Sequence, residues 1–292
     1  MKHHIVQLLQ LILCLSFGQS RLLAGDSARL KLKDFYVLNG TQTQPDAVVN
    51  LNDFRHIAPT SDILKQDYST YTPSLGRYSY SSGAFSMLLG FEHANKKNQG
   101  INPNRQLRVG VSYAAITEFS TSMYRTDSKR FDTISSPYGP IYYDSIRSRS
   151  MKAEYAFQQL CLDVSYLYKT DAAARWSLFG GIGITAGMSL NTSVKVTSSD
   201  QYYVLTSYYG NRIYPGYRVG ETEIYRAKSN YGGSVYIPLG VDFRIGKKSP
   251  FWHRLHVFLE GRPGISFLSI PELVTLPNVY MRTTIGLRVR LK

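Results

Sequence analysis

Residues 279–291 read VYMRTTIGLRVRL, and almost every second side chain in this stretch is large and apolar. A period of two places alternate side chains on opposite faces of a β-strand. The stretch therefore predicts a strand with one apolar face and one charged face. The apolar face holds Val279, Met281, Ile285, Leu287, Val289 and Leu291, and the other face holds Tyr280, Arg282, Gly286, Arg288 and Arg290.

The same alternation recurs in earlier segments of the chain. A strand that crosses a bilayer at a tilt needs roughly 9 to 11 residues, whereas strands of soluble sandwiches average about 5 to 6. The length of these apolar faces favours membrane strands over the alternative, a soluble sandwich. The apolar faces lie at residues 85–91, 107–115, 160–168, 176–188, 235–245 and 255–259.

The connections between these segments alternate in length. Those at 169–175 and 246–254 are short, whereas those at 117–158 and 191–233 are long. Outer-membrane barrels pair short periplasmic turns with long extracellular loops. The sequence therefore predicts an all-β fold, an antiparallel transmembrane β-barrel of about eight strands with long extracellular hairpins and short periplasmic turns.

An even number of strands is required if both termini lie on the periplasmic side. Seven strands can be named from residue 77 onwards, so an eighth must come from the preceding chain. The best candidate is 29–38, where the alternation holds only after a slip of one residue. Residues 51–67 instead predict one or two helical turns interrupted at Pro59, placed in a loop, as a lid or in the lumen.

The N-terminus has the organisation of a secretory signal peptide. A mostly apolar run at 5–17 is too short to span a bilayer, and small residues follow at Gly18 and Ser20. The predicted domains are thus a signal peptide at 1–20, an N-terminal extension at 21–76 and the barrel at 77–292. Removal of the signal peptide leaves Cys161 without an intramolecular partner, so no disulfide is expected.

The net charge of +14 comes from basic residues scattered along the chain. Export argues against nucleic acid as a partner, and anionic lipid head groups and sugars are the expected alternatives.

The last strand resembles the terminal signal by which outer-membrane barrels are passed to their assembly machinery. The residues that carry this resemblance are Thr284, Gly286, Val289 and Leu291, although Leu291 replaces the usual aromatic residue and Lys292 follows it. The chain is thus similar to small single-chain outer-membrane β-barrel proteins of Gram-negative bacteria over roughly 77–292. The resemblance implies a place in the cell outer membrane, with membrane lipid and the barrel-assembly machinery as partners. It implies no catalytic residues.

Charged residues occupy the face opposite the apolar one. An eight-stranded barrel has an interior just wide enough to be filled by its own side chains, and charges buried there need partners. We therefore expect a network of salt bridges that closes the lumen; the alternative is a narrow anion-selective channel. The residues of this network are Glu92, Arg108, Asp163, Asp242, Arg244, Glu260, Arg262, Arg282, Arg288 and Arg290.

Tyrosine and arginine are concentrated in the long segment at 191–233. These residue types are enriched at binding hot spots, so the segment is a candidate recognition surface for a protein or glycan. The alternative is a β-hairpin that only extends the barrel outwards. The candidate residues are Tyr202, Tyr203, Tyr208, Tyr209, Arg212, Tyr214, Tyr217 and Arg218.

Catalytic motifs are absent from the sequence. No G-x-S-x-G or H-E-x-x-H pattern occurs, and no cluster of cysteine and histidine predicts a metal or other cofactor. A lipid-modifying enzyme would have to use His56, His93, His253 or His256, and three of these map to the periplasmic side. The sequence favours a non-enzymatic structural or surface-binding barrel over a channel, and a channel over an enzyme.

Overall fold

The computed structural model describes residues 30–45, 50–74, 79–94, 101–171, 174–206, 218–246, 249, 251–271, 273 and 275–291. Most of these residues lie in antiparallel strands. Two short helices, α1 (Leu51–Ile57) and α2 (Asp62–Lys65), follow the first strand, and a 3₁₀ turn (Trp252–Arg254) precedes β10. The strands are β1 (Leu30–Pro45), β2 (Thr72–Pro73), β3 (Ser79–Ala94), β4 (Ile101–Ser136), β5 (Gly139–Lys169), β6 (Trp176–Thr206), β7 (Arg218–Arg226), β8 (Tyr231–Tyr236), β9 (Leu239–Arg244), β10 (Leu255–Ser269) and β11 (Leu276–Arg290).

The strands close into a ring with eight places, in the order β1, β3, β4, β5, β6, β8 with β9, β10 and β11. β8 and β9 share one place, because both pair with β6 on one side and with β10 on the other. β11 pairs back onto β1 and completes the ring. The predicted eight-stranded antiparallel barrel is confirmed.

The eighth strand is β1, which pairs with β11 and β3. Its register shifts between Leu32 and Asp34, where the sequence alternation also slips. A β-bulge adds one residue to a strand and so exchanges its two faces. β1 is therefore the possible first strand that the sequence suggested within the extension at 21–76, and it takes part in the barrel ring. The predicted signal peptide lies outside the described residues.

The outer and inner faces of the ring differ as a membrane barrel requires. Leu162 and Ile285 on the outside are each 60% exposed, while the inward-facing Arg108 and Asp163 are fully buried. The charged face of each strand therefore lines the lumen, and the apolar face is left for lipid. Among the described residues, no helix has the length and hydropathy needed to cross a membrane.

Three strands continue far beyond the length that a bilayer needs. β4 has 36 residues, and β5 and β6 have 31 each, against roughly 9 to 11 for a membrane strand. Their distal parts form an extracellular sheet, in which β7 pairs with β6 and the two-residue β2 pairs with β4. The segments that the sequence suggested as long connections are thus largely β-structure.

The junction between barrel and extracellular sheet is marked by irregular pairing at one height on three strands. Register shifts occur between Thr117 and Phe119 in β4 and between Ala156 and Gln158 in β5, and β6 has a positive φ at Asn191. Bulges bend a strand and increase its twist. Beyond them the inward face changes from polar to apolar.

The two helices close the extracellular end of the barrel. α1 starts with a capping box between Asn50 and Asp53, and Ser61 caps α2. Phe54 of α1 is buried and lies edge-to-face against Phe119. Phe119 in turn stacks on Tyr155, and the centroids of these two rings are 4.7 Å apart. The segment predicted as helical turns thus forms a cap. The apolar core beneath it includes Phe54, Ala58, Ile63, Leu64, Phe119, Met151, Ala153, Tyr155, Phe157, Val194 and Val196.

Candidate functional site

The centre of the lumen is crossed by ion pairs. Arg108 on β4 donates two hydrogen bonds to Glu260 on β10, over 2.6 and 3.0 Å. These strands are four places apart in a ring of eight, so the pair spans the lumen from one wall to the opposite one. Arg262 bonds Glu260 over 2.5 Å and Asp163 over 2.7 Å. All four side chains are at most 1% exposed.

An aromatic residue completes this central layer. The hydroxyl of Tyr236 donates to Asp163, and the guanidinium of Arg262 lies 5.0 Å from the centre of the Tyr236 ring. The ring fits because residue 183 is glycine: a Cβ there would lie 2.2 Å from the ring carbon that bears the hydroxyl. Gly183 thus provides room for a bulky side chain inside a narrow barrel.

A second polar layer lies at the periplasmic side. Asp242 accepts from His256 over 2.8 Å, and Arg288 lies 3.0 Å from it. Lys169 donates to the hydroxyl of Tyr36 over 3.3 Å and lies 3.9 Å from Asp242. This layer is also buried. Apolar side chains between the two layers, Leu38, Leu88, Leu167, Phe179 and Phe258, occupy the remaining width.

Above the central layer the lumen becomes less charged. Arg282 donates to the amide oxygen of Gln42 over 2.6 and 3.0 Å. A cavity of about 20 Å³ lies beside them and is also lined by Cys161 and Tyr280, which is room for about one water. The apolar core under the helical cap follows directly. Polar layers, a small cavity and an apolar core thus succeed one another along the barrel.

The ten residues predicted for the lumen network are placed as follows. Arg108, Glu260, Arg262, Asp163, Asp242 and Arg288 form the two layers, and Arg290 lies 3.5 Å from Glu92 nearer the periplasmic end. Arg282 bonds an amide and Arg244 contacts His253 over 3.3 Å. Among the described residues, neither of these two arginines has a carboxylate within ion-pair distance.

Sequence reasoning missed two charged residues of the network. Lys169 continues the inward alternation of Asp163 and Ser165, so extending the predicted strand by one residue beyond Tyr168 would have found it. Asp34 follows the bulge in β1 and could be placed only once the register was known. Its carboxylate accepts from Gln106, which in turn accepts from Tyr36.

A cleft of about 460 Å³ lies on the extracellular sheet, on the face that continues the inward side of the barrel. We call it the extracellular cleft. Asp127, Arg147 and Tyr202 are in register across β4, β5 and β6, which places the three side chains in one row. The cleft is lined by Asp127, Ser128, Lys129, Ser145, Arg147, Asp200, Tyr202 and Val219.

Ion pairs fix the charged residues of the extracellular cleft. Asp127 accepts from Arg149 over 2.6 Å and from Arg125 over 2.9 Å, and Asp200 accepts from Arg147 over 2.5 Å. The hydrogen bonds from Arg149 and Arg125 lower the pKa of Asp127, and those from Arg147 lower the pKa of Asp200. Asp200 in turn raises the pKa of Arg147. Both carboxylates are therefore ionised at neutral pH.

The candidate recognition residues of the tyrosine-rich segment divide into two groups. Tyr202, Tyr203 and Arg218 lie on β6 and β7, within the extracellular sheet. Tyr202 lines the extracellular cleft, whereas Tyr203 pairs with Ile146 and so faces the other side of the sheet. Tyr208, Tyr209, Arg212, Tyr214 and Tyr217 lie outside the described residues.

One of the four candidate histidines lies at the opposite end of the barrel from the other three. His56 is on α1 at the extracellular end, whereas His93, His253 and His256 lie at the periplasmic ends of strands. In the part of the chain that the structure describes, no group of three or more His, Cys, Asp or Glu side chains is arranged to hold a metal ion. The terminal residues Thr284 and Gly286 face the lumen, and Val289 and Leu291 face outwards.

The closed ring and its apolar exterior decide where this chain resides. It is an outer-membrane β-barrel protein. No family model and no curated protein match its sequence.

Several solved outer-membrane barrels are similar to the chain. Neisserial surface protein A is 12% identical, over 88% of this chain and 97% of its own, with a TM-score of 0.27. Ail, the attachment invasion locus protein of Yersinia pestis, is 8% identical over 89% and 99%, also with a TM-score of 0.27. The β domain of the Bordetella autotransporter BrkA is 9% identical over 91% and 100%, with a TM-score of 0.24. Values this low say nothing about ligand or activity.

Proposed function

We propose that this barrel is closed and non-enzymatic, and that it acts by binding a partner on its extracellular sheet. The observation that carries the proposal is the Arg108–Glu260 pair, which joins opposite walls at the centre of the lumen. Solute passing through the barrel would have to break buried, charge-assisted hydrogen bonds, which are costly to leave unmade.

The second support is the sheet itself. A barrel that served only as a membrane anchor would have no use for strands that continue as far as β4, β5 and β6 do. The extracellular sheet presents a cleft with charged and aromatic side chains, and its size is within the roughly 300 to 1,000 Å³ usual for ligand sites. Recognition at this sheet is therefore the role that we assign. The terminal strand would serve the barrel-assembly machinery.

A narrow anion-selective channel is the second candidate. The observation that favours it is the excess of basic over acidic side chains near the cavity, where Arg282 has an amide and not a carboxylate as its partner. The ion pairs below the cavity and the helical cap above it favour the closed barrel.

The surface role is tested by shortening the extracellular sheet. Thr126 and Ser148 are directly paired, so residues 127–147 can be replaced by a two-residue Asn-Gly turn without disturbing the ladder below. Proteoliposomes carrying the intact or the shortened protein are applied to arrays of purified surface proteins and glycans, with protein-free vesicles as the control.

We expect the intact protein to bind and the shortened one to lose binding, while both keep the heat-dependent gel shift of a folded barrel. Equal binding by the two proteins, or no binding above protein-free vesicles, would contradict the surface role.

A further inference from the structure

The charged residues that line the extracellular cleft are balanced, Lys129 and Arg147 against Asp127 and Asp200, and two further arginines adjoin them. Its rows hold the cations Arg125, Lys129, Arg147 and Arg149 and the carboxylates of Asp127 and Asp200. Asp127 is shared by two arginines, and Asp200 is engaged by the third. The cluster therefore retains two positive charges.

Donors remain available in this cluster for an anionic ligand. Arg147 lines the cleft with its side chain 54% exposed, and it engages Asp200 through Nε and Nη2, which leaves its Nη1 atom for a ligand. Lys129 is exposed and lines the cleft, and among the described residues it has no ion-pair partner. An incoming carboxylate or sulfate would satisfy these donors without displacing Asp127 or Asp200.

The uncharged residues of the lining are of the types that bind sugars. The ring of Tyr202 is 45% exposed beside Arg147, so its face is open to the C–H groups of a pyranose. Ser145 adds a hydroxyl group, and Val219 adds an apolar contact. Cations combined with an aromatic ring and hydroxyls match a ligand that has both ring faces and acidic groups.

We infer that the extracellular cleft binds an acidic saccharide, whose carboxylate or sulfate group is held by Lys129 and Arg147 and whose ring lies on Tyr202. This inference rests on the proposed surface role and names its ligand class. Because the cations are at least partly exposed, the affinity falls as salt is added.

Calorimetry on the full-length protein in nanodiscs tests the inference with three oligosaccharides of equal length. Oligogalacturonate supplies carboxylates, a heparin hexasaccharide supplies sulfates as well, and maltohexaose is uncharged. We expect the acidic probes to bind more tightly than maltohexaose, and their ranking identifies the acidic group.

The variants Lys129→Gln and Lys195→Gln form a matched pair. Both lysines are exposed on the extracellular sheet, but Lys195 lies on the opposite face from the cleft. Each substitution removes one positive charge. We expect roughly a tenfold loss of affinity for Lys129→Gln, the scale of one charge-assisted hydrogen bond, and less than about a twofold loss for Lys195→Gln. Tyr202→Ala should weaken the acidic probes and maltohexaose by the same factor.

Equal losses in the two lysine variants, or equal affinity for maltohexaose and the acidic probes, would overturn the inference. If no saccharide binds but the arrays show protein ligands that require residues 127–147, this inference fails while the proposed surface role stands.

Discussion

Glu260 is the residue on which the central layer depends, because its carboxylate accepts from both Arg108 and Arg262. Replacing it with glutamine keeps the size of the side chain but removes the negative charge that lies between the two guanidinium groups. Breaking a buried pair by removing one partner costs about 3 to 5 kcal/mol. We therefore expect Glu260→Gln to lower the free energy of unfolding by that amount.

The measurement is guanidinium-induced unfolding in lipid vesicles, followed by the fluorescence of the two tryptophans, Trp176 and Trp252. The matched control is Asp144→Asn, since its partner Arg130 is 54% exposed and such pairs contribute about 0 to 1 kcal/mol. Equal unfolding midpoints for Glu260→Gln and Asp144→Asn would show that the central pair does not stabilise the barrel.

At the residue level, the sequence predicts which side chains point inwards but not how they pair. Arg108, Asp163 and Glu260 are assigned to the lumen by alternation alone. Their pairing depends on which strands face each other across the ring, and a local pattern carries no such information. The partners Gln42 and Tyr236 were missed because neither residue type carries a net charge.

At the level of secondary-structure elements, the helical cap is attached to the barrel through the packing of aromatic side chains. Phe54 is fully buried against Phe119, and large-to-small substitutions of buried phenylalanine cost about 3 to 5 kcal/mol. We expect Phe54→Ala to release the cap from the barrel. Trypsin should then cleave faster after Arg55 and Lys65, while the eight-stranded ring keeps its heat-dependent gel shift.

The control for this prediction is His56→Ala, which changes an exposed residue of the same helix. It should leave the cleavage rate unchanged. Unchanged cleavage in Phe54→Ala would mean that the cap does not depend on this packing, and loss of the ring itself would mean that the cap is part of the barrel's core.

The strands of the extracellular sheet could not be predicted from alternation in the sequence. Irregularities near Glu118 and Asn191 exchange the two faces of β4 and β6, so a single period of two cannot be followed through these strands. Beyond the bulges both faces carry polar residues, and the contrast that identifies a strand weakens. β1 was difficult to predict for the same reason, because its alternation is interrupted by a bulge at Lys33.

The overall architecture was the feature that the sequence predicted best. Long alternating segments and connections that alternate in length determine a closed antiparallel barrel, and parity required an eighth strand, which is β1. The cap could be foreseen as helical but not placed, because its position depends on packing against three distant strands.

Closure of the lumen is the central claim about the whole molecule, and single-channel recording in planar lipid bilayers tests it most directly. Inserted protein, verified by its heat-dependent gel shift, should give no stable conductance steps. The variant in which a short Gly-Ser linker replaces residues 50–74 should also be silent, since the ion pairs of Arg108, Glu260, Arg262 and Asp163 remain below the missing cap. Stable open-channel steps from the intact protein would contradict the account.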